Sequence, residues 1–417
     1  MHSILSAQIC CCAIAAAVTL VPVPAAGQTG PAARPGDTAV VPFTIRVEDA
    51  VLADLKDRLA RTRFPDEIPD TGWEYGTNLA YLKELVAYWK DHFDWRAQER
   101  RLNALPQFTT IIDGVTVHFV HQRSPSANAM PLVVTHGWPG SFVEFAGVIG
   151  PLADPAAHGG RAEDAFHVVA VSIPGYGFSA PPAGRGYSPE KMADIIAKLM
   201  ARLGYTRYGA QGGDWGAIIS RFIALNDASH VAGLHLNMCT APAPPGPDPN
   251  AGVPAEEQAR AQGKQNYMVN ERGYSQIQGT RPQTLGYGLN DSPTGLAAWI
   301  VEKLRSWSDS KGDVESRFTK DQILTNVMIY WVTQSITSSS RLYFESARAA
   351  APDTRRVEVP TACAAFPGEV VLPPRKYVAA RYNLTRWTEM PRGGHFAAWE
   401  EPQLFIDDVR AFFRDLR

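Results

Sequence analysis

The spacing of apolar residues changes along the chain, and each change predicts a different kind of structure. From residue 42 to about residue 106, apolar side chains recur at steps of three and four residues, which is typical of amphipathic helices. Over residues 108–121 the chain instead alternates between apolar and polar residues on both sides of Asp113-Gly114, a pair that favours a tight hairpin turn. The sequence therefore predicts an N-terminal helical segment over residues 40–107 and a β-hairpin directly after it.

Short apolar runs then alternate with stretches of helical spacing as far as residue 240. The predicted strands are Leu132–Thr135, Phe166–Ile173, Arg207–Gln211 and Leu234–Met238, and the predicted helices are Pro189–Leu203 and Trp215–Leu225. Alternation of strand and helix is typical of a mostly parallel sheet covered by helices on both faces. We therefore expect an α/β fold whose first part covers residues 108–240.

A cluster of proline and glycine that begins at Ala241 ends this alternation. The next hundred residues contain helical stretches such as Pro293–Trp307, and strand-like sequence resumes only at Thr361. We interpret residues 241–355 as a helical cap inserted into the sheet. Residues 356–417, which end in an amphipathic helix, would then complete the core.

The first 27 residues have the features of an export signal, because an apolar run is followed by the small residues Ala25, Ala26 and Gly27. Residues 28–39 are rich in alanine, proline and glycine, as flexible linkers are. We expect a secreted or periplasmic protein that keeps no stable membrane span after cleavage. An uncleaved signal would leave the protein anchored to a membrane.

Charge and motif content narrow the class of ligand. The chain has 40 basic and 42 acidic residues, so its net charge of −2 would not attract nucleic acid, and a small neutral molecule fits better. The common zinc, phosphate and dinucleotide motifs do not occur, so we expect no cofactor and no metal. The sequence does not indicate an oligomeric state.

The cysteines do not define a disulfide framework. Three of the five lie inside the predicted signal, which leaves Cys239 and Cys363 in the mature chain. A single pair is compatible with a disulfide or with two buried thiols. We interpret the two residues as thiols.

The motif Gly212-Gly213-Asp214-Trp215-Gly216 lies between a predicted strand and a predicted helix. It has Gly-x-Asp-x-Gly where many hydrolases have the Gly-x-Ser-x-Gly of a nucleophile elbow. The outer glycines would permit a sharp turn that exposes the central side chain above the sheet. Taken alone, Asp214 is better explained as the N-cap of the following helix, a role that Asp favours.

Two later residues change this interpretation. Glu369, in Phe-Pro-Gly-Glu, follows one predicted strand, and His395, in Arg-Gly-Gly-His-Phe, follows the next. Each alone would be an ordinary loop residue. Nucleophile, acid and histidine nevertheless occur in the chain order of a hydrolase triad, and this coincidence predicts a catalytic site.

A carboxylate nucleophile restricts the substrate. When Asp attacks a saturated carbon it forms an ester, whose carbonyl carbon water can attack, whereas Ser would form an ether that water cannot cleave. The substrate should therefore be an epoxide or a haloalkane, with water as the second reactant. The loop from His136 to Pro139 follows a predicted strand, and the backbone N–H groups of Trp138 and Trp215 are the expected oxyanion-hole donors.

From Pro42 to its end, the chain resembles the microsomal-type epoxide hydrolases, including the juvenile hormone epoxide hydrolases. The resemblance depends on the N-terminal helical segment and on the motifs His136-Gly-Trp-Pro-Gly-Ser, Gly212-Gly-Asp-Trp-Gly and Arg392-Gly-Gly-His-Phe. It implies an α/β-hydrolase fold with an N-terminal meander. It also implies that Asp214 attacks an apolar epoxide and that His395, oriented by Glu369, hydrolyses the ester to a diol.

The same resemblance implies that two cap tyrosines hold the epoxide oxygen. They correspond to Tyr274, in Arg-Gly-Tyr-Ser, and Tyr343, in Arg-Leu-Tyr-Phe. A phenolic O–H can bind and protonate the alkoxide that ring opening creates. Glu369 corresponds to the acid of the family, and Asp353 is the alternative acid. A haloalkane dehalogenase, in which the tyrosines would be idle, and an inactive binding protein on this fold are the competing hypotheses.

Overall fold

The computed structural model describes residues 38–349 and 353–417. The predicted signal, residues 1–27, and residues 28–37 of the predicted linker lie outside the described residues. The nine β-strands of the described part are β1 Val41–Phe43, β2 Gln107–Ile112, β3 Val115–Gln122, β4 Met130–Thr135, β5 Phe166–Val171, β6 Tyr208–Gly212, β7 Val231–Leu236, β8 Val357–Ala365 and β9 Tyr382–Glu389.

The same residues form fifteen α-helices. They are α1 Asp49–Ala60, α2 Leu79–Asp91, α3 Trp95–Asn103, α4 Ala146–Ala153, α5 Pro189–Arg202, α6 Trp215–Asn226, α7 Ala255–Glu271, α8 Gly273–Thr280, α9 Pro282–Asp291, α10 Pro293–Trp307, α11 Lys320–Thr333, α12 Ile336–Ser346, α13 Arg375–Arg381, α14 Ala397–Glu400 and α15 Pro402–Arg414. Within the two described ranges, no helix has both the length and the apolar character that crossing a bilayer requires.

The strands form one sheet in the order β1-β2-β3-β5-β4-β6-β7-β8-β9. β1, β2 and β3 pair antiparallel with their neighbours, and every pair from β5 to β9 is parallel. The predicted hairpin is confirmed, because Ile112 pairs with Val115 around Asp113 and Gly114, which both have positive φ. Positive φ at both turn residues gives the backbone twist that suits a two-residue hairpin.

Helices cover the sheet on both faces. A Cβ atom on Gly209 would meet Phe413 of α15, whereas one on Gly212 would meet the first turn of α6. Because side chains at odd and even positions of a strand point to opposite faces, α15 and α6 lie on opposite sides of β6. The predicted α/β fold with a mostly parallel sheet is confirmed.

Six helices, α7 to α12, lie between β7 and β8, in the region that we predicted as a cap. The N-terminal helices pack against them: Thr77 donates a hydrogen bond of 2.8 Å to the carbonyl oxygen of Ala298 in α10, and Tyr88 donates one of 2.9 Å to Asp321 in α11. The N-terminal segment is therefore placed on the cap.

Cys239 and Cys363 form a disulfide, so our interpretation of them as thiols is wrong. The two residues are 124 positions apart in the chain, but their Cα atoms are 6.2 Å apart. β7 pairs with β8 in parallel register, with Leu236 opposite Cys363. The sequence does not show that the two cysteines are close, because the whole cap is inserted in the chain between β7 and β8, which are neighbours in the sheet.

Candidate active site

Asp214 stands at the sharp turn between β6 and α6. Its backbone has φ 50° and ψ −129°, a conformation that residues other than glycine rarely adopt. A Cβ atom on Gly212 would lie 2.2 Å from the carbonyl oxygen of Gly216, and one on Gly216 would lie 1.8 Å from the carbonyl oxygen of Thr135. Both positions therefore require glycine, because only then can the start of α6 approach β4 and β6 closely enough to form the turn.

The loop after β4 holds the Asp214 carboxylate. The backbone N–H of Trp138 donates a hydrogen bond of 2.8 Å to Oδ1. Trp215, the second predicted donor, begins α6 directly after Asp214, so its N–H belongs to the first turn, where helical N–H groups have no acceptor within the helix. The alternative that Asp214 caps α6 is wrong, because its side chain makes no capping hydrogen bond.

His395 and Glu369 lie beside the nucleophile. Nε2 of His395 is 3.3 Å from Oδ2 of Asp214, and Nδ1 is 2.7 Å from Oε1 of Glu369. The side chains of His395 and Glu369 are buried, whereas 18% of the Asp214 side chain is exposed and can be reached by another molecule. Asp353, the alternative acid, lies before β8 and bonds to Arg355 instead.

Backbone hydrogen bonds join the acid loop to the histidine loop. Gly368 forms a parallel bridge with Gly394, and its N–H donates to the carbonyl oxygen of Gly393 over 2.9 Å. Oε1 of Glu369 also accepts a hydrogen bond of 2.6 Å from the N–H of Val370. These contacts orient the carboxylate toward the imidazole.

The charge state of His395 depends on both carboxylates. Burial disfavours the imidazolium, but the negative charge of Glu369 and the contacts with Asp214 and Glu369 outweigh it and raise the pKa of His395 well above 6.5. Loss of the negative charge of Asp214 would remove two of these contributions, its contact with Nε2 and its charge, and would lower the pKa of His395.

The histidine loop, residues 392–396, is bound to the cap. The N–H groups of residues 393–396 each donate a hydrogen bond of 3.0 Å. Gly393 donates to Oδ2 of Asp309 and His395 to the carbonyl oxygen of Trp307. Gly394 and Phe396 donate to Oε2 and Oε1 of Glu400. Oε2 of Glu400 also accepts a hydrogen bond of 2.7 Å from the N–H of Asp309. Glu400 thus joins the peptide groups on both sides of His395 to the end of α10.

The loop after β4, residues 136–141 (the oxyanion loop), carries the predicted oxyanion-hole donor Trp138. It is also bound to the cap. Asn326 of α11 donates to the carbonyl oxygen of Pro139 over 2.8 Å, and Tyr330, one turn later, donates to that of Gly140 over 2.7 Å. Oγ of Ser141 in turn donates to Oδ1 of Asn326 over 2.8 Å. α11 therefore holds the loop that carries the Trp138 N–H.

The two predicted tyrosines come from different cap helices, Tyr274 from α8 and Tyr343 from α12, and meet above the nucleophile turn. Their ring centroids are 5.7 Å apart. Trp138 stacks on Tyr274 at 5.1 Å, and Trp215 lies edge-on to Tyr343 at 4.8 Å. Trp307 completes this aromatic enclosure, 5.1 Å from Tyr274. The structure thus brings the two tyrosines together with Asp214 and with Trp138 and Trp215, the two residues whose N–H groups are the predicted oxyanion-hole donors.

The hydroxyl group of Tyr343 is buried and makes no hydrogen bond of normal geometry within residues 38–349 and 353–417; its polar neighbours are the side chains of Tyr274 and Trp215. A buried hydroxyl without such a bond is costly and points to a functional reason. Burial raises the pKa of Tyr343 well above 10, so the group keeps its proton and can act as a donor. Tyr274 also lines a cavity of about 890 Å³ between the N-terminal segment and the cap.

Glu144 lies in the same site, although the sequence did not identify it. It belongs to the 3₁₀ turn Phe142–Phe145 and lines a cavity of about 10 Å³ together with Asp214 and His395. The backbone N–H of Gly137 lies near its carboxyl group and favours the ionised form, although burial outweighs this effect. Neither Glu144 nor Glu400 carries a local signal beyond lying a few residues after a recognised motif.

The sheet order, the strained Asp turn and the acid and histidine that follow β8 and β9 define an enzyme of the α/β-hydrolase fold that has a carboxylate in place of serine. The pattern described as alpha/beta hydrolase fold matches residues 130–275, and the pattern described as Epoxide hydrolase N terminus matches residues 40–145.

Relatives and solved structures make the assignment specific. Epoxide hydrolase 1 of Oryctolagus cuniculus is 40% identical over 422 residues, which cover 93% of this chain and 92% of the relative. The crystal structure of juvenile hormone epoxide hydrolase from Bombyx mori superposes with a TM-score of 0.85 at 33% identity, covering 93% of this chain and 97% of that chain. Epoxide hydrolase of Aspergillus niger has a TM-score of 0.82 at 31% identity, covering 91% and 97%. The chain belongs to the epoxide hydrolase family, and it is a hydrolase that acts on epoxides.

Proposed function

We propose that Asp214 attacks a ring carbon of an apolar epoxide and that His395, oriented by Glu369, activates the water that hydrolyses the resulting ester. The observation that carries this proposal is the environment of the Asp214 carboxylate. Oδ1 accepts a hydrogen bond from the N–H of Trp138, while Oδ2 faces the imidazole and has no backbone donor in the part of the chain that the structure describes. One oxygen is thus held where an oxyanion can form, and the other is available to attack carbon.

In the first step, an electron pair of Oδ2 forms a bond to a ring carbon while the bond from that carbon to the epoxide oxygen breaks. The oxygen gains negative charge and takes a proton from a phenol. The buried hydroxyl of Tyr343 and the neighbouring Tyr274 support this role. A halide leaving group would need no such proton, so the tyrosines favour an epoxide.

In the second step, water attacks Cγ of the ester and gives a proton to Nε2 of His395. The carbonyl electrons move to Oδ1, where the N–H of Trp138 stabilises them. Collapse of this intermediate breaks the bond from Cγ to the alkyl oxygen, and the departing alkoxide takes the proton from His395. A vicinal diol leaves, and the second proton of the water remains on the new Asp214 carboxyl group. Transfer of that proton to the phenolate restores both the Asp214 carboxylate and the tyrosine.

The aromatic enclosure supports an apolar substrate. Trp138, Trp215, Trp307, Tyr274 and Tyr343 surround the position above the nucleophile, so the ring carbons would leave water as the substrate binds.

Two substitutions test the mechanism. Asp214→Asn should abolish diol formation, because the neutral amide is a poor nucleophile. His395→Gln should still form the ester but not hydrolyse it, so intact-protein mass spectrometry should find the protein heavier by one substrate molecule. Diol formation by Asp214→Asn at the wild-type rate would refute the proposed nucleophile.

The source of the incorporated oxygen gives a further test. A single turnover in ¹⁸O-labelled water should place the label in the Asp214 carboxylate, since water attacks Cγ, and leave the diol unlabelled. Label in the diol would show direct attack of water on the epoxide. Parallel assays with haloalkanes should release no halide, and halide release without diol formation would support a dehalogenase instead.

We also propose that the protein is exported to an oxidising compartment. The Cys239–Cys363 disulfide supports this location, since disulfides persist mainly in secreted and periplasmic proteins. Cell fractionation combined with N-terminal mass spectrometry should find a mature chain that begins near Gln28 outside the cytoplasm. A full-length chain in the membrane fraction would indicate the anchored form.

A further inference from the structure

We propose that Glu144 binds the hydrolytic water on the side opposite His395 and is a further catalytic residue of the second step. The inference rests on the proposed function, because it assigns a group to the water that hydrolyses the Asp214 ester. It adds a hydrogen-bond acceptor for the water, Glu144, which belongs neither to the sequence motifs nor to the predicted triad.

Two adjacent peptide groups place the Glu144 carboxyl beside the nucleophile. The N–H of Gly137 lies near the Glu144 carboxyl, and the next N–H, that of Trp138, donates a hydrogen bond of 2.8 Å to Oδ1 of Asp214. The two carboxyl groups therefore line the same cavity, together with His395. Its volume of about 10 Å³ is close to the smallest that holds one water molecule.

The neighbouring glycines leave room for this arrangement. A Cβ atom on Gly140 would lie 1.5 Å from Oε1 of Glu144, and one on Gly137 would lie 2.2 Å from Oδ1 of Asp214. Larger residues at these positions would displace one carboxyl group or the other. Gly140 therefore leaves room for the carboxyl group of Glu144, and Gly137 leaves room for that of Asp214.

The chemistry of ester hydrolysis requires a second acceptor for the water. Its oxygen must direct a lone pair at Cγ of Asp214, and one hydrogen goes to Nε2 of His395. The remaining hydrogen needs an acceptor in a site closed to bulk solvent. An oxygen of Glu144 that faces the cavity meets this need and fixes the orientation of the attacking lone pair.

The protonation state of Glu144 suits this role. Burial raises its pKa from 4.5 to about 8, and the charge of Asp214 and that of Glu400 add to the effect, while His395 opposes it. At neutral pH the group is therefore mostly a neutral acid beside an ionised Asp214. Its carbonyl oxygen still accepts a hydrogen bond, and it adds no negative charge next to the oxyanion that forms on Oδ1.

Rapid-quench kinetics of Glu144→Leu would test the inference. Ester formation should keep its wild-type rate, because the first step uses no water, whereas ester decay should slow by about 10- to 100-fold and the alkyl-enzyme should accumulate. Glu144→Gln keeps one acceptor oxygen and should lose less. Glu163→Leu, an exposed glutamate in another 3₁₀ turn, is the matched control and should change neither rate.

The pH dependence of stability gives a readout that does not depend on activity. Because folding raises the pKa of Glu144, the folded protein binds this proton more tightly than the unfolded chain, so ionisation of Glu144 destabilises the fold as pH rises from about 4.5 to 8. Glu144→Gln cannot ionise and should gain stability relative to wild type over that range. A difference in stability that is constant with pH would contradict the neutral carboxyl.

Failure of this inference can be distinguished from failure of the proposed function. If the wild type forms diol, His395→Gln accumulates ester and Glu144→Leu hydrolyses ester at the normal rate, only the role of Glu144 is wrong. A proportional loss of both steps in a correctly folded Glu144→Leu would also overturn it. If His395→Gln forms no ester at all, the proposed mechanism itself is refuted.

Discussion

The nucleophile turn and the histidine loop meet at one site, but different interactions hold them in place. The turn, residues 212–216, is determined by steric fit, since a Cβ atom on either outer glycine would overlap the backbone nearby. The histidine loop is held by four hydrogen bonds to Asp309, Glu400 and Trp307. The turn thus depends on steric fit with the sheet beneath it, whereas the histidine loop depends on hydrogen bonds, two to cap residues and two to Glu400 of α14.

This difference has a chemical consequence. In the proposed mechanism the attacking carboxylate must reach its carbon along one direction, and a turn without free space keeps that direction constant. The histidine would act only after the ester has formed. Loss of the bonds to Asp309 and Trp307 would therefore weaken the placement of the base but leave the steric fit of the turn unchanged.

Gly216→Ala should have the largest effect on the turn. The added Cβ would lie 1.8 Å from the carbonyl oxygen of Thr135, and backbone cannot move aside as a flexible side chain can. We expect a loss of about 3 kcal/mol or more in the free energy of unfolding, measured by urea denaturation. Gly147→Ala in α4, where a Cβ atom meets nothing within 4 Å, should cost nothing. Equal stability of the two variants would show that the turn tolerates a side chain.

Removal of the disulfide should have the next largest effect. Cys239 follows β7 and Cys363 lies in β8, so the bond joins the two strands that lie in the sheet between β6 of the nucleophile turn and β9 of the histidine loop. The double variant Cys239→Ser/Cys363→Ser should lose about 2–4 kcal/mol of stability, because its unfolded chain is less restricted. Diol formation below the melting temperature should change little, since the pairing of β7 with β8 remains. A loss of activity without a loss of stability would contradict this separation.

Glu400→Gln should have the smallest effect on stability but a selective effect on chemistry. One amide oxygen cannot accept the bonds that two carboxylate oxygens accept from Gly394, Phe396 and Asp309. We expect ester decay to slow by about tenfold, the equivalent of about 1.4 kcal/mol, with ester formation unchanged. Glu163→Gln, at an exposed position outside the histidine loop, is the matched control. Equal effects of the two variants would argue against positioning by Glu400.

The local parts of the site could be predicted from the sequence. The Asp214 turn is encoded in a few consecutive residues, and the hairpin around Asp113-Gly114 and most strands and helices follow from short-range periodicity. The acid was less certain, because Glu369 and Asp353 both lie near β8 and only the folded chain places one of them 2.7 Å from His395.

The remaining parts could not be predicted, because they depend on contacts between distant segments. Glu400 is linked to Asp309 over 91 positions, and the disulfide over 124. In the sequence, Glu144 cannot be distinguished from a glutamate on the surface; only the fold places its turn next to Gly137. No local pattern distinguishes such a residue from a solvated one.

The sequence by itself determined the α/β fold, the sharp turn that carries Asp214 and the carboxylate that we propose as the nucleophile, because periodicity and backbone preference act over a few residues. Only the tertiary structure decided which carboxylate orients His395, how the cap holds the histidine and oxyanion loops, and that the two cysteines are bonded. Those outcomes depend on which distant segments become neighbours, and packing of the whole sheet and cap sets that arrangement.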